Sequence, residues 1–163
     1  MNLLKYFFNT ALYVQISPER LTVRDPKSGN AFSEIPELAI AHSPKATIVA
    51  FGAQARLTAA PGVEIINPFN HPRTLVGDFT SGQQLLTAAI RKVQGKSLLA
   101  VAPRIVMHLL GDPAGGFTQV EARAFREMAL GAGAREVDIW QGRPLTDEEV
   151  LSRRFPAEGK RLS

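Results

Sequence analysis

The clearest pattern of apolar and polar positions lies in the second half of the chain, between Pro103 and Gln141. Arg104 to Leu110 is a short apolar run rich in β-branched residues, which predicts a strand. Thr118 and Glu121 have the T-x-x-E spacing of a capping box, in which each side chain satisfies an exposed backbone N–H of the other residue. A helix is therefore predicted to start at Thr118.

The residues after this cap predict a helix and a second strand. Apolar residues recur there at helical spacing, namely Val120, Ala124, Phe125, Met128, Ala129 and Ala132. Gly133 supplies the permissive backbone that ends a helix, and Arg135 to Trp140 then has an extended pattern. The whole stretch is a strand-helix-strand unit, so we expect its two strands to be parallel.

The first half of the chain predicts short strands joined by turns. The strand-like runs are Leu12 to Ile16, Arg20 to Arg24, Ala31 to Ala41 and Thr47 to Phe51. Ser17-Pro18-Glu19 makes the first two a hairpin, and Pro36 within the third favours an edge position or a bulge. Pro61 to Thr74 is rich in turn signals and predicts a long connection with at most one short strand, at Val63 to Ile66.

Three further helices are predicted. They are Ala53 to Thr58, a helix opened by a Ser81 and Gln84 capping box, and a polar helix from Thr146 to Arg154 capped by Thr146 and Glu149. The second of these ends at Gly95 and turns Leu85, Leu86, Ala89, Ile90 and Val93 toward the core. The basic tail after Arg154 is predicted to be frayed.

Composition narrows the class of protein. A chain of 163 residues with 45% hydrophobic content is expected to form one α/β domain with a mixed sheet. Cysteine is absent, which excludes a disulfide framework and a thiolate metal site and fits a reducing cytoplasm. The net charge of +4 comes from Lys and Arg scattered among 15 acidic residues, so nucleic-acid binding is not expected.

Motifs for metal or phosphate chemistry are weak. His42, His71 and His108 are far apart in sequence, so no metal site is expected. Gly95-Lys96-Ser97 mimics the end of a phosphate-binding loop but follows a helix, which indicates a helix stop. The loop from Gly111 to Gly116 precedes a helix and is interpreted as a flexible connection. No serine has the surroundings of a nucleophile elbow.

Four segments, in a constant order, resemble MreB, the bacterial actin-like family of rod-shape-determining proteins. Phe117 to Val137 is similar to the family's T-x-V-E-R-R-A-(6)-A-x-x-A-G-A-R-E-V segment, here written F-T-Q-V-E-A-R-A-F-R-E-M-A-L-G-A-G-A-R-E-V. Ser33 to Ile40 resembles N-E-P-S-x-V-A-I, Ala50 to Arg56 resembles A-V-G-x-x-A-K, and Leu75 to Phe79 resembles V-I-A-D-F. The resemblance covers the chain from Leu12 to Gln141.

The resemblance implies one lobe of the actin-like ATPase fold, of the ribonuclease H type, with a mixed five-stranded sheet and flanking helices. We expect an N-terminal amphipathic segment at residues 1–10, the lobe at 11–145, and a C-terminal helix with a basic tail at 146–163. The chain is too short for the complete two-lobe ATPase, whose second phosphate loop and adenosine-binding segment would come later.

Phosphate binding is predicted to be lost at the first hairpin. There the family carries D-L-G-T, whose Asp organises magnesium and whose backbone donors hold phosphate, whereas this chain has Gln15-Ile16-Ser17-Pro18. Gln15 lacks the anionic oxygen that magnesium prefers, Ser17 lacks the freedom of glycine, and Pro18 has no N–H. Gln141 or Gly142 stands at the family's catalytic acid, and neither can act as a carboxylate base.

The start of the chain suggests a contact surface. Met1 to Phe8 holds five large apolar side chains and one lysine, and the resemblance extends to short amphipathic starts of MreB proteins in many Gram-negative bacteria. The candidate membrane or partner contacts are Leu3, Leu4, Lys5, Phe7 and Phe8. The alternative is that these side chains dock on the protein's own sheet.

The sequence thus predicts a non-catalytic, MreB-like protein of the bacterial cytoplasm, peripheral to the inner membrane, that acts in cell shape or the cytoskeleton without a cofactor. Its expected partners are a second copy or a full-length actin-like filament protein, because an uncovered sheet face must be covered or used. One alternative is weak binding of ATP with magnesium, the second lobe being supplied by another chain. Another is a truncated remnant that still folds.

Overall fold

The computed structural model describes residues 10–95 and 101–162. The strands are β1 (Ala11–Ile16), β2 (Leu21–Arg24), β3 (Ala31–Glu34), β4 (Leu38–Ala41), β5 (Thr47–Phe51), β6 (Val63–Ile66), β7 (Arg104–Leu109), β8 (Glu136–Gln141) and β9 (Lys160–Leu162). The helices are α1 (Gln54–Leu57), α2 (Phe79–Gln94), α3 (Gln119–Gly131) and α4 (Asp147–Ser152). The predicted α/β class is confirmed.

The main sheet is mixed and has six strands in the order β3-β2-β1-β7-β8-β9. The β1–β2 and β2–β3 pairs are antiparallel, while β1–β7 and β7–β8 are parallel. The predicted hairpin and the predicted parallel pair are therefore confirmed. The predicted count of five strands is wrong, because β9 folds back antiparallel onto β8 and adds the sixth strand.

A second, antiparallel sheet has the order β5-β4-β6. The prediction of one strand from Ala31 to Ala41 is wrong, since β3 belongs to the main sheet and β4 to the second sheet. Pro36 lies in the break between them, where a residue without an N–H costs no ladder bond. The short strand predicted at Val63 to Ile66 is confirmed.

Helix α3 begins as predicted, with both halves of the Thr118 and Glu121 capping box formed. Its first apolar residue does not reach the core, because Val120 is 79% exposed. Helix α2 begins differently from the prediction: its N-cap is Asp78, which accepts bonds from the backbone N–H (3.0 Å) and hydroxyl (2.9 Å) of Ser81. Asp is as good a cap as Ser, and here it lies three residues earlier.

The two faces of the main sheet are covered by different parts of the chain. Helices α2 and α3 cover the larger hydrophobic core with Leu85, Leu86, Phe125 and Met128. Residues 145–155, which include α4, cover the other face, which we call the tail face and which is lined by Ala11, Tyr13, Val106, Trp140, Leu145 and Val150. The basic tail after Arg154 was predicted to be frayed, and that prediction is wrong, because Phe155 packs on Trp140 and Lys160–Leu162 pair with β8.

Candidate functional site

The turn between β1 and β2 holds the predicted phosphate-loop positions. The Ser17 N–H donates to the Arg20 carbonyl at 3.0 Å. The Ser17 hydroxyl oxygen accepts the N–H groups of Glu19 (3.2 Å) and Arg20 (3.1 Å). Pro18 contributes no N–H. Every backbone donor from Ser17 to Arg20 is therefore either used inside the turn or missing, and none is left to hold an anion.

A second contact fixes this turn from outside. The Asn67 side-chain amide donates to the Pro18 carbonyl at 2.7 Å, while its oxygen accepts the N–H of Phe69 at 3.0 Å. Phe69 is fully buried, so the turn is tied to the core through Asn67. This arrangement suits a rigid structural turn, because opening it to admit a ligand would break bonds at both ends.

Gln15 and Gln141 lie at the same end of the main sheet, where the strands β1 and β8 reach their C-terminal ends. Gln15 is in register with His108 of β7, and Gln141 pairs with Lys160 of β9. By strand alternation, Gln15 belongs to the tail face and Gln141 to the opposite face. The Gln141 Oε1 atom is buried without a hydrogen-bond partner among the described residues. The structure thus brings Gln15 and Gln141 to the same end of the sheet but places them on opposite faces.

Gly142 follows β8 and is packed closely against the Trp140 ring and the Gly159 backbone. A Cβ atom at this position would lie 2.5 Å from Trp140 Cζ2 and 3.0 Å from Gly159 Cα. Such distances require the ring or the backbone to shift. The space beside Gly142 thus excludes a carboxylate side chain in the present packing.

A buried polar network on the tail face joins strands β1 and β7 to the loop after β8. The Tyr13 hydroxyl accepts the Leu145 N–H at 3.0 Å, so its proton is directed to His108 Nδ1 at 2.6 Å. His108 Nε2 then donates to the Gly142 carbonyl at 2.9 Å. These bonds assign a neutral imidazole that carries its proton on Nε2.

The electrostatics of this network agree with that assignment. Burial lowers the pKa of His108 below its ordinary value, although the bond to Gly142 opposes the shift. Burial likewise raises the pKa of the Tyr13 phenol. Both groups are therefore held neutral, and their role is to fix the loop after β8 to the sheet.

A charged cluster lies on the same face at the other end of the strands. Arg104 and Asp138 are 3% and 5% exposed, and their nearest side-chain atoms are 3.5 Å apart. Arg153 also reaches Asp138 at 3.1 Å, and Arg104 donates to the Val150 carbonyl at 2.6 Å. Burial, and then the charge of Arg153, lowers the pKa of the Arg104 guanidinium. The cluster fastens α4 to the sheet.

Sequence reasoning did not identify these two groups. Tyr13, His108, Arg104 and Asp138 are polar residues that alternate with apolar ones along β1, β7 and β8. This alternation was the available signal, because a polar residue in a two-sided buried strand needs a partner on the same face.

The remaining candidate residues are dispersed through the fold, so the weak motifs stay separate. His42 pairs with Glu64 at 2.8 Å and His71 accepts the Arg73 N–H at 3.2 Å, whereas His108 bonds Tyr13 and Gly142. Within residues 10–95 and 101–162, no group of three His, Asp or Glu side chains could hold a metal ion. The loop from Gly111 to Gly116 approaches a cation, since Lys160 Nζ lies 3.6 Å from the place of a Cβ at Gly116.

Some predicted positions lie outside the described residues. These are the N-terminal contacts Leu3, Leu4, Lys5, Phe7 and Phe8, together with Lys96 and Ser97. In the part of the chain that the structure describes, no helix has the length and apolar character needed to cross a membrane.

The sheet order and the hairpin followed by a parallel strand-helix-strand unit define the class: this is an actin-like lobe of the ribonuclease H type. A family model described as MreB/Mbl protein matches residues 22–145. The chain therefore belongs to the MreB/Mbl family.

Relatives support the same assignment. The chain is 32% identical over 138 residues to the cell shape-determining protein MreB of Escherichia coli strain K12, an alignment that covers 79% of this chain and 34% of that protein. The MreB of Pasteurella multocida strain Pm70 is 30% identical over the same length. The chain spans about a third of the length of the curated relatives it matches.

Solved structures show the same fold. The crystal structure of MreB5 of Spiroplasma citri bound to AMPPNP has a TM-score of 0.64 and 17% sequence identity, and covers 79% of this chain and 37% of that one. The form bound to ADP has a TM-score of 0.61 and 16% identity, and covers 80% and 38%. The likeness of the actin-like lobe thus persists at low sequence identity.

Proposed function

We propose that this chain is a non-catalytic member of the MreB/Mbl family that acts in bacterial cell shape or the cytoskeleton through protein–protein contacts. The observation that carries the proposal is the turn from Ser17 to Arg20, which has no free backbone N–H for a phosphate. An anion held by backbone donors needs several such groups aimed at it.

The crowding at Gly142 supports the same proposal. A water-activating carboxylate needs a side chain in hydrogen-bond reach of the water, and neither the Gln141 amide nor the Gly142 hydrogen supplies one. The nucleotides bound by the Spiroplasma structures belong to those proteins. In this chain we propose no cofactor.

The proposed organisation follows the sequence. Residues 1–10 contact a membrane or partner, residues 11–145 form the lobe, and residues 146–163 are a tail that folds onto it. The proposed partners are a second copy or a full-length actin-like filament protein at the cytoplasmic side of the inner membrane. Members of the family polymerise, which supports this choice.

Calorimetric titration with ATP and magnesium tests the absence of nucleotide binding. We expect no heat of binding at millimolar ATP, with MreB of Escherichia coli measured alongside as the comparison protein. Micromolar, magnesium-dependent binding would reject the proposal.

Co-sedimentation tests the protein contacts. We expect the chain to pellet with filaments of full-length MreB, or to sediment as a concentration-dependent oligomer by itself. A chain that stays monomeric and remains in the supernatant beside those filaments would refute an action through such contacts.

A further inference from the structure

A groove of about 660 Å³ lies between β5 and α2, and we call it the β5 groove. Four consecutive residues of β5, from Ile48 to Phe51, line it. Successive side chains of a strand point to opposite faces, so consecutive lining residues mean that the groove runs along the edge of the strand. The free edge of β5 therefore forms one wall.

That edge has unused hydrogen-bonding capacity. In the order β5-β4-β6, β5 pairs with β4 on one side and with no other strand among the described residues. Its sequence, T-I-V-A-F, has high β-propensity, and Val49 is 48% exposed. An edge strand of this kind is a template for a further strand.

The opposite wall is one face of α2. Gln84, Ala88 and Arg91 recur there at helical spacing, and Phe32 of β3 contributes to the floor. Phe32 and Phe51 are in aromatic contact, with ring centroids 5.8 Å apart. The groove thus has an apolar floor between a strand edge and a mostly polar helix face.

The charges at the rim select the occupant. Arg91 and Lys92 line the groove in the last turn of α2, and Lys92 Nζ lies 6.0 Å from the centre of the Phe51 ring. No ion pair joins either cation to a carboxylate in the described part of the chain. The carboxylate of Glu34 is engaged by the Ala53 N–H at 2.8 Å. Two cations without an internal partner suit acidic side chains on an incoming segment.

We propose that the β5 groove binds an extended, acidic segment of a partner protein, which pairs with the free edge of β5. Its backbone continues the β5-β4-β6 sheet, alternate apolar side chains enter the groove, and its carboxylates meet Arg91 and Lys92. This inference rests on the proposed function, because it names the chemistry of one partner. A second copy fits less well, since its net charge of +4 would oppose the two cations.

Selection from a random dodecapeptide library on phage, against the full chain, tests the inference. We expect enriched peptides in which apolar residues alternate and Asp or Glu recurs. The enriched peptides, made synthetically with a fluorophore, provide the probe for titration by fluorescence polarisation. Selection that enriches no binding peptide, or only peptides without acidic residues, would overturn the proposal.

Two variants locate the binding. Arg91→Glu with Lys92→Glu should weaken the peptides about tenfold or more, since two ion pairs of modest strength are lost and replaced by repulsion. The matched control is Arg123→Glu with Arg154→Glu, which changes the net charge equally at two exposed positions elsewhere and should leave affinity unchanged. If both double variants weaken peptide binding equally, the effect comes from net charge alone, and the proposed binding site is wrong.

Hydrogen exchange distinguishes the binding mode. Strand addition should slow amide exchange within Thr47–Phe51, and Val49→Asp should abolish both binding and protection while circular dichroism shows the fold retained. Protection of α2 without β5 would mean a docked helix and would overturn strand addition. If dimerisation of this chain competes with peptide binding, the occupant of the groove is a second copy and the proposal of an acidic partner is wrong. ATP binding, by contrast, would reject the proposed function without touching these results.

Discussion

The tail face and the β5 groove belong to the same small fold, but their polar groups differ in burial and in pairing. On the tail face, Arg104 and Asp138 are almost fully buried and held within the chain. In the β5 groove, Arg91 and Lys92 have no carboxylate partner among the described residues, and a strand edge is open. The tail face therefore stabilises the fold of the chain itself, whereas the β5 groove remains available to bind a partner.

The largest effect is expected from removing the charge at the centre of the tail face. Asp138→Ala leaves the buried Arg104 without its carboxylate, and such an uncompensated charge costs about 3–5 kcal/mol of unfolding free energy. Urea denaturation measures the loss. Asp147→Ala is the control, since its pair with Arg24 is exposed and should contribute less than about 1 kcal/mol. Equal effects of the two changes would remove the distinction between buried and exposed charges.

A carboxylate at Gly142 should also destabilise the tail face. In Gly142→Glu the new Cβ meets the Trp140 ring and the Gly159 backbone, and overpacking of this kind costs about 1–3 kcal/mol. Gly131→Glu is the matched control, because its Cβ meets the end of the flexible Gln83 side chain. Thermal unfolding of both variants measures the contrast. An unchanged melting temperature for Gly142→Glu would show that the site can accept the family's acid.

The His108 network should make stability fall on mild acidification. Burial lowers the pKa of folded His108, so below a pH of about 6.5 the unfolded chain binds the proton first. The stabilisation is complete above that pH and is lost as the pH falls toward the folded pKa, by up to about 1.4 kcal/mol per pH unit. Urea titrations between about pH 6.5 and 5 should show this slope.

A pair of histidine variants isolates its source. His108→Gln keeps an acceptor for Tyr13 and a donor for Gly142 but cannot take the proton, so the slope should disappear. His71→Gln should keep it, because His71 lies outside this network. A slope that survives in His108→Gln would assign the pH dependence to other groups.

The smallest effect is expected in the β5 groove. Val49→Thr changes a half-exposed residue and should alter the unfolding free energy by no more than about 0.5 kcal/mol. The same substitution on the tail face, Val106→Thr, places a hydroxyl in a fully buried position and should cost about 1–3 kcal/mol. Chemical denaturation compares them directly, and a large cost at Val49 would mean that the groove is already closed by the chain itself.

Local signals in the sequence predicted the central unit of the fold well. The capping box of Thr118 and Glu121 spans only four consecutive residues, so the start of α3 could be predicted from the sequence. The cap of α2 could not be assigned as securely, because Asp78 and Ser81 are both good caps within one turn.

Long-range features escaped prediction because their determinants are far apart. The strand β9 exists through pairing with β8, and the division between β3 and β4 depends on which sheet each joins. The loss of glycine and N–H donors at Ser17 and Pro18 was visible in the sequence. The internal use of every remaining donor, and the crowding beside Gly142, needed the folded arrangement.

The position of the tail in the chain also constrains the order of synthesis on the ribosome. Strands β1, β7 and β8 are synthesised before residues 145–155, so Tyr13, Val106 and Trp140 are made before the segment that will shield them. Until α4 arrives, the nascent lobe presents an aromatic, partly charged surface to its surroundings.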